Sequence, residues 1–262
     1  MKFQITLTPG AVTQFLLRVV ACLVLLSSLS HITLYFFPDS RWAKYLSTVF
    51  NLNSEGNIPT FYSFLALLFS SLLLGAIAHA KSLDSSRYTQ HWKILSFIFL
   101  YLSLDEAGQL HEKLNTPMRS LLNATGFLYF TWVVPIGFLV AIFLLSYAKF
   151  LFHLPVSTKK LFVAACALYI GGAIGVELVG GYLATTRGMN PLLYRIATTL
   201  EESLEMLGIV VFIHALVSYI KTYLGGVSWN IYIPGKNTQF TEEHQNIGLP
   251  ALHESANTNL LS

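Results

Sequence analysis

The stretch FYSFLALLFSSLLLGAIAHA, Phe61–Ala80, holds no Asp, Glu, Lys or Arg. At about 1.5 Å of rise per residue, a helix of this length crosses roughly 30 Å of hydrocarbon. Its apolar residues do not keep to one stripe, so no face is left for water. Pro59, just upstream, suits the first turn of a helix. The reading is a transmembrane helix, and the rest of the chain repeats it.

Working outward, further apolar stretches cover about 14–37, 93–112, 126–152, 161–185 and 200–224. The predicted fold is therefore all-α: a polytopic transmembrane bundle of about six helices over 1–224. A polar, disordered C-terminal tail is expected over 225–262. Composition agrees, with 54% hydrophobic and only 11% charged residues, against about a quarter charged in soluble domains. Ser28 and Ser30 follow an apolar core as they would in a cleaved signal peptide. The apolar run continues to Phe37, which favours an uncleaved anchor. Pro135 predicts a kink in the fourth span, and Gly171 with Gly175 a close helix contact in the fifth. The two halves show no matching motif, so the usual pointer to an inverted-repeat transporter is missing.

The net charge of +3, with no concentrated basic run, excludes nucleic acid as the expected partner. The lipid bilayer is the expected partner instead, with a small molecule, lipid or ion as substrate. Cys22 and Cys166 sit in apolar runs without zinc-type spacing and read as buried hydrophobes. Short basic loops around Lys81, Arg87 and Lys93 and around Lys149, Lys159 and Lys160 predict cytoplasmic termini in a cell inner membrane.

Acids segregate to the other side. Asp39, Glu55, Asp105, Glu106, Glu112, Glu177, Glu201, Glu202 and Glu205 all fall toward the outer face. The third span has only Ile94–Leu104 free of charge, too short to cross. Its helix is expected to run on through Asp105 and Glu106 toward Glu112, with Asp105, Gln109 and Glu112 on one face and His111 beside them. Glu177 lies inside a long uncharged run, where a carboxylate needs a partner, a proton or a metal. Glu201, Glu202 and Glu205 share one face of the first turns of the sixth span, where acids complement the helix dipole; Leu207–Tyr219 alone is too short to cross, so the helix extends either upward through Glu205 or downward past Lys221.

Carboxylates with an imidazole suit Mg²⁺, Ca²⁺, Mn²⁺, Fe or Zn²⁺. The expected divalent-metal ligands are Asp105, Glu106, His111, Glu112, Glu177, Glu202 and Glu205, with Gln109 and Glu201 as accessories. No residue is assigned a catalytic role. His79 and His214 could pair on a haem, but a histidine bonded between helices is the preferred reading.

Three stretches carry a resemblance: Leu52-Asn53-Ser54-Glu55-Gly56-Asn57-Ile58-Pro59-Thr60, then Leu104-Asp105-Glu106 with His111-Glu112, then Glu201-Glu202 with Glu205 and Gly208. Together they resemble an uncharacterised family of bacterial multi-pass membrane proteins, some labelled multidrug transporters. The resemblance covers most of the chain except the tail and implies no established chemistry. It makes Glu55 a neighbour of the acidic cluster and so a further accessory to the expected metal ligands. Met206 stands where the EExxxR motif of membrane CAAX proteases requires Arg, and no GxSx of the rhomboid kind lies within the six predicted spans. The expected function is metal-dependent hydrolytic or lipid-directed chemistry. Cation- or proton-coupled transport and a non-catalytic assembly or sensor role are the alternatives, and whether the protein is an enzyme stays open.

Overall fold

A computed structural model describes residues 2–189, 192–226 and 228–232. It divides into two units. The smaller takes in all but one end residue of each of two five-residue strands, β1 (Lys2–Thr6) and β2 (Ser228–Tyr232), paired in a two-stranded sheet. The expected tail thus begins with a short strand; beyond Tyr232 it lies outside the described residues.

The larger unit is helical. Its elements are α1 (Pro9–Phe36), α2 (Arg41–Phe50), α3 (Ile58–Leu83), α4 (Thr89–Gly108), α5 (Asn115–Leu122), α6 (Val133–His153), α7 (Val156–Ile170), α8 (Glu177–Arg187) and α9 (Leu192–Tyr223). A π-helical turn, Gly171–Val176, joins α7 to α8 in one rod. Among the described residues, five helices are long and apolar enough to cross a membrane: α1, α3, α6, the Val156–Arg187 rod and α9. Leu25 of α1 and Phe138 and Leu145 of α6 are 68–79% exposed. Such an apolar outer surface belongs against lipid.

α9 is the core helix. In its apolar window 61% is buried, against 11% for α6 at the periphery. Ile209, Val210, Ile213, Leu216 and Val217 are each at most 2% exposed. Packing follows small residues. An added Cβ on Gly208 would lie 2.8 Å from the Tyr169 amide nitrogen, and one on Gly172 2.8 Å from the Glu201 carbonyl oxygen. The expected Gly171/Gly175 contact is corrected here, since neither has anything within 4 Å of its added Cβ. α3 and α4 lock through reciprocal bonds: Ser71 Oγ donates to the Ser96 carbonyl and Ser96 Oγ to the Ser71 carbonyl, both at 2.8 Å. Ser103 Oγ adds a bond to the Phe64 carbonyl at 3.0 Å. Interhelical bonds of this kind are worth about 0.6–2 kcal/mol each in a bilayer.

Several boundaries differ from expectation. α3 starts at Ile58, where Asn57 Oδ1 caps the Thr60 amide at 3.2 Å and Pro59 occupies the first turn. Pro135 likewise sits in the first turn of α6, where its missing amide costs nothing, so no kink is needed. α9 begins at Leu192, so Glu201, Glu202 and Glu205 lie more than two turns inside it. At roughly 3.6 residues per turn the helix dipole does not explain them. α4 stops at Gly108 because Gln109 takes a left-handed conformation, φ 55°. Glu112 therefore opens a separate 3₁₀ turn, Glu112–Leu114, and does not continue the α4 stripe. His214 Nδ1 lies 2.7 Å from Thr13 Oγ1, a bond between α9 and α1. That is the interhelical role preferred over a haem ligand.

Candidate metal centre

The left-handed Gln109 turns the chain back on itself. His111 thereby returns to Asp105, whose Oδ1 accepts the His111 backbone N–H at 2.9 Å while Oδ2 accepts ring Nδ1–H at 2.9 Å. With Nδ1 occupied, Nε2 is the nitrogen left to ligate. It points at Glu55, whose Oε1 lies 3.9 Å away.

Glu55 is held by a knot of turn hydrogen bonds. Asn57 Nδ2 donates to the carbonyls of Asn51 (2.7 Å) and Ser54 (2.6 Å). The Leu52 amide donates to Ser27 Oγ at 3.1 Å, tying the loop to α1. Gly56, φ 73°, makes the turn beside Glu55, and an added Cβ there would come 3.9 Å from Gln109 Nε2. Glu112 closes the group. One ligand atom each from Glu55, His111 and Glu112 lie within 4.8 Å of one another.

Behind His111 stands Trp132, 8% exposed, with ring centroids 4.9 Å apart and planes at 59°. Asn115 Oδ1 accepts the Trp132 amide at 3.2 Å, which fixes the indole's base. Its Nε1–H donates to Glu177 Oε1 at 3.0 Å. Glu177 is 9% exposed and lies beside the Glu201 carboxyl. Two carboxyl groups so close repel unless a proton or a cation lies between them. The π turn sits immediately before Glu177, and such turns recur at functional positions.

The structure therefore sorts the sequence candidates. Glu55, expected as an accessory, lies with His111 and Glu112 in one group that could hold a metal ion. Asp105 orients the histidine. Gln109 is the turn residue. Glu177 and Glu201 form a second pair linked to the first group by Trp132. Glu106, Glu202 and Glu205 lie within Coulombic reach of these groups: Glu202 of Glu106, Glu55, Glu177 and Glu112, and Glu205 of Glu202, Glu106, Glu177 and Glu55. Trp132, Asn115 and Tyr169, the last within reach of Glu205 and Glu106, carry no signal in the sequence that ties them to the acids. Trp132 was readable only as one more apolar residue before a span.

Burial, followed by the Glu112 charge, pushes the Glu55 carboxyl up to about 7. Burial would lower the His111 imidazole, but the bond and charge of Asp105, with Glu55 and Glu112, outweigh it and the net shift is upward. These charges favour the imidazolium over the neutral ring, whereas a cation would favour the neutral ring, its far nitrogen steadied by a carboxylate as is typical of metal-bound histidine.

The fold and this cluster define an integral-membrane helical bundle with a polar centre where its loops meet. The chain belongs to a family described only as a domain of unknown function, DUF8692, whose model matches residues 16–220 and so takes in the whole cluster. No curated protein and no solved structure matches it.

Proposed function

We propose that Glu55, His111 and Glu112 hold a divalent cation at the outward face of the inner membrane, for metal-dependent hydrolytic or lipid-directed chemistry. The observation carrying this reading is the two-sided setting of His111, with Nδ1 bound by Asp105 and Nε2 turned to Glu55. An imidazole among carboxylates suits Zn²⁺, Fe²⁺ or Mn²⁺ better than Mg²⁺ or Ca²⁺. Glu106, Glu177, Glu201, Glu202 and Glu205 supply spare carboxylates, one of them able to serve as a base toward metal-activated water.

The same contact supports a sixth span. Glu55 precedes α3 and His111 follows α4, yet they lie 3.9 Å apart. If α3 crosses the membrane, α4 crosses back. Its 20 residues reach about 30 Å. Both termini then share one side, which the basic loops make cytoplasmic.

Cation-coupled transport fits less well. Beyond Glu205, the α9 residues Met206, Ile209, Val210, Ile213 and Leu216 are buried in the apolar core, so the acids end in a closed floor. The test is metal content and melting of the purified protein. Zn²⁺, Mn²⁺ or Fe²⁺ should raise the melting temperature, and His111→Ala or Glu55→Gln should abolish the rise. A wild type that carries no metal and melts unchanged with each of these ions would refute the proposal.

A further inference from the structure

α2 is sharply two-faced. Ala43 is buried at 3% exposed, while Trp42 and Tyr45, which follow Arg41 and Lys44 in turn, are 77% and 59% exposed. Exposed Tyr35 and Phe36 end α1 just before it, with exposed Phe37 following them, and exposed Ile58 and Phe61 open α3 just after it. Aromatic rings with basic side chains at the end of apolar spans mark the headgroup layer, and a short amphipathic helix there lies in its plane. Between α2 and α3 an open hollow of about 340 Å³ is lined by Thr48, Val49, Gly56, Asn57, Ile58 and Phe61. Lys44 lies one turn from Thr48 on the same face of α2, and the Thr48 hydroxyl bonds the Lys44 carbonyl at 3.0 Å. Gly56 borders the hollow and adjoins Glu55.

We infer that this hollow is a lateral binding groove for an anionic phospholipid of the surrounding leaflet. Its acyl chain runs down Ile58, Phe61 and Leu65 of α3, all exposed, and its phosphate sits beside Lys44. The occupant is a lipid because the hollow is continuous with the lipid-facing surface of α3. It is anionic because Arg41 and Lys44 are the charged groups on the bordering helix. Binding stands on the groove alone. That the headgroup arrives next to Glu55 as substrate for the cation rests on the function proposed above.

The test uses the full chain in nanodiscs containing phosphatidylglycerol with a photoactivatable diazirine in its acyl chain, with crosslinks mapped by mass spectrometry. Labelling should concentrate on the stretch 48–65 over the exposed faces of α1 and α6. Lys44→Gln should lower it about fivefold, the effect of one basic side chain beside anionic headgroups, and Val49→Trp, which fills the hollow, should abolish it. Lys44 is exposed, so its substitution leaves packing intact and decides the matter if Val49→Trp does not fold. Millimolar inorganic phosphate should leave labelling unchanged. Even labelling of all lipid-facing helices, indifference to both variants, or displacement by inorganic phosphate overturns the groove. Metal-dependent melting of the same samples separates the two proposals: labelling without a metal response sinks the metal centre alone, and a metal response without focused labelling sinks the groove alone.

Discussion

The Asp105 carboxylate accepts two hydrogen bonds from His111, one from its backbone amide and one from ring Nδ1, both at 2.9 Å. One side chain therefore fixes the loop and the imidazole together. Such a partner raises the basicity of the distal nitrogen and removes the freedom of the ring to rotate. Asp105→Asn keeps the shape but offers only one acceptor oxygen for two donors. It should weaken metal binding about 10–100-fold, the usual effect of losing an orienting partner, as read by calorimetry. Unchanged affinity would reduce Asp105 to a loop staple.

The pH dependence has a definite sign. Glu55 is shifted up to about 7 and His111 is shifted upward. Folding therefore favours the protonated form of both, and their contribution is full below the ordinary values of 4.5 and 6.5. It is lost as pH rises through the folded values. Metal-free protein should melt progressively lower from about pH 5 to 8 on this account, and Glu55→Gln should flatten part of the decline. Because metal needs the deprotonated forms, the metal-induced rise in melting temperature should be small at low pH and grow above neutrality. A metal response independent of pH would exclude these two ligands.

Helix spacing around α9 makes a third test. A Cβ on Gly172 would meet the Glu201 carbonyl at 2.8 Å and Glu205 Cγ at 3.1 Å. Gly172→Ala must push backbone from backbone and should destabilise by about 1–3 kcal/mol, the range for overpacking a well-filled contact. Gly171→Ala and Gly175→Ala, with open space around the added carbon, should melt within about 0.5 kcal/mol of wild type. Equal effects at all three would mean that the close approach to α9 does not limit stability.

Topology is open to a direct chemical check. With Cys22 and Cys166 replaced by Ala, a cysteine at Ser54, in the loop that carries Glu55, should react with an impermeant thiol reagent in intact cells. One at Ser85, between α3 and α4, should be protected until the cells are opened. The reverse pattern would turn the site toward the cytoplasm. Labelling of both positions would mean that α3 does not cross.

What could be read in the chain was what continuous hydropathy encodes. Phe61–Ala80 announced α3 because nothing charged interrupts it. The start of α9 did not, because Arg195, Thr198 and Thr199 make its first turns look like loop, although Tyr194, Ala197 and Thr198 are buried against protein. The α2 helix was hidden for a related reason: ten residues with a strong apolar face are too short to register as a span. The acidic site was visible as an inventory but not as a geometry. Periodicity put Glu112 on the α4 stripe, and only the left-handed Gln109 shows why His111 returns to Asp105. Gln rarely takes that conformation, so no residue type signalled the turn. Glu55 entered through resemblance alone, because the loop that brings it to His111 is organised by side-chain bonds of Asn51 and Asn57 that no repeat pattern reveals.

Trp132 links the two halves of the cluster, and its indole N–H on Glu177 at 3.0 Å makes the last prediction. Trp132→Phe keeps a ring against His111 but leaves the Glu177 oxygen without its donor. A buried acceptor stripped of its partner costs about 1–3 kcal/mol, more where it is charged. Glu177→Gln offers an amide in the same place and removes the charge. If the indole serves mainly to satisfy that carboxylate, the double variant Trp132→Phe with Glu177→Gln should be less destabilised than the two single losses summed, with a coupling of about 0.5–3 kcal/mol. Metal affinity adds a readout that packing alone would not move. Trp132 touches His111 on one side and Glu177 on the other, so Trp132→Phe should weaken metal binding in the wild-type background and have a smaller effect once Glu177 is Gln. Strict additivity in both stability and affinity would mean that the Glu177–Glu201 pair is independent of the Glu55–His111–Glu112 group, and the cluster would then be two sites.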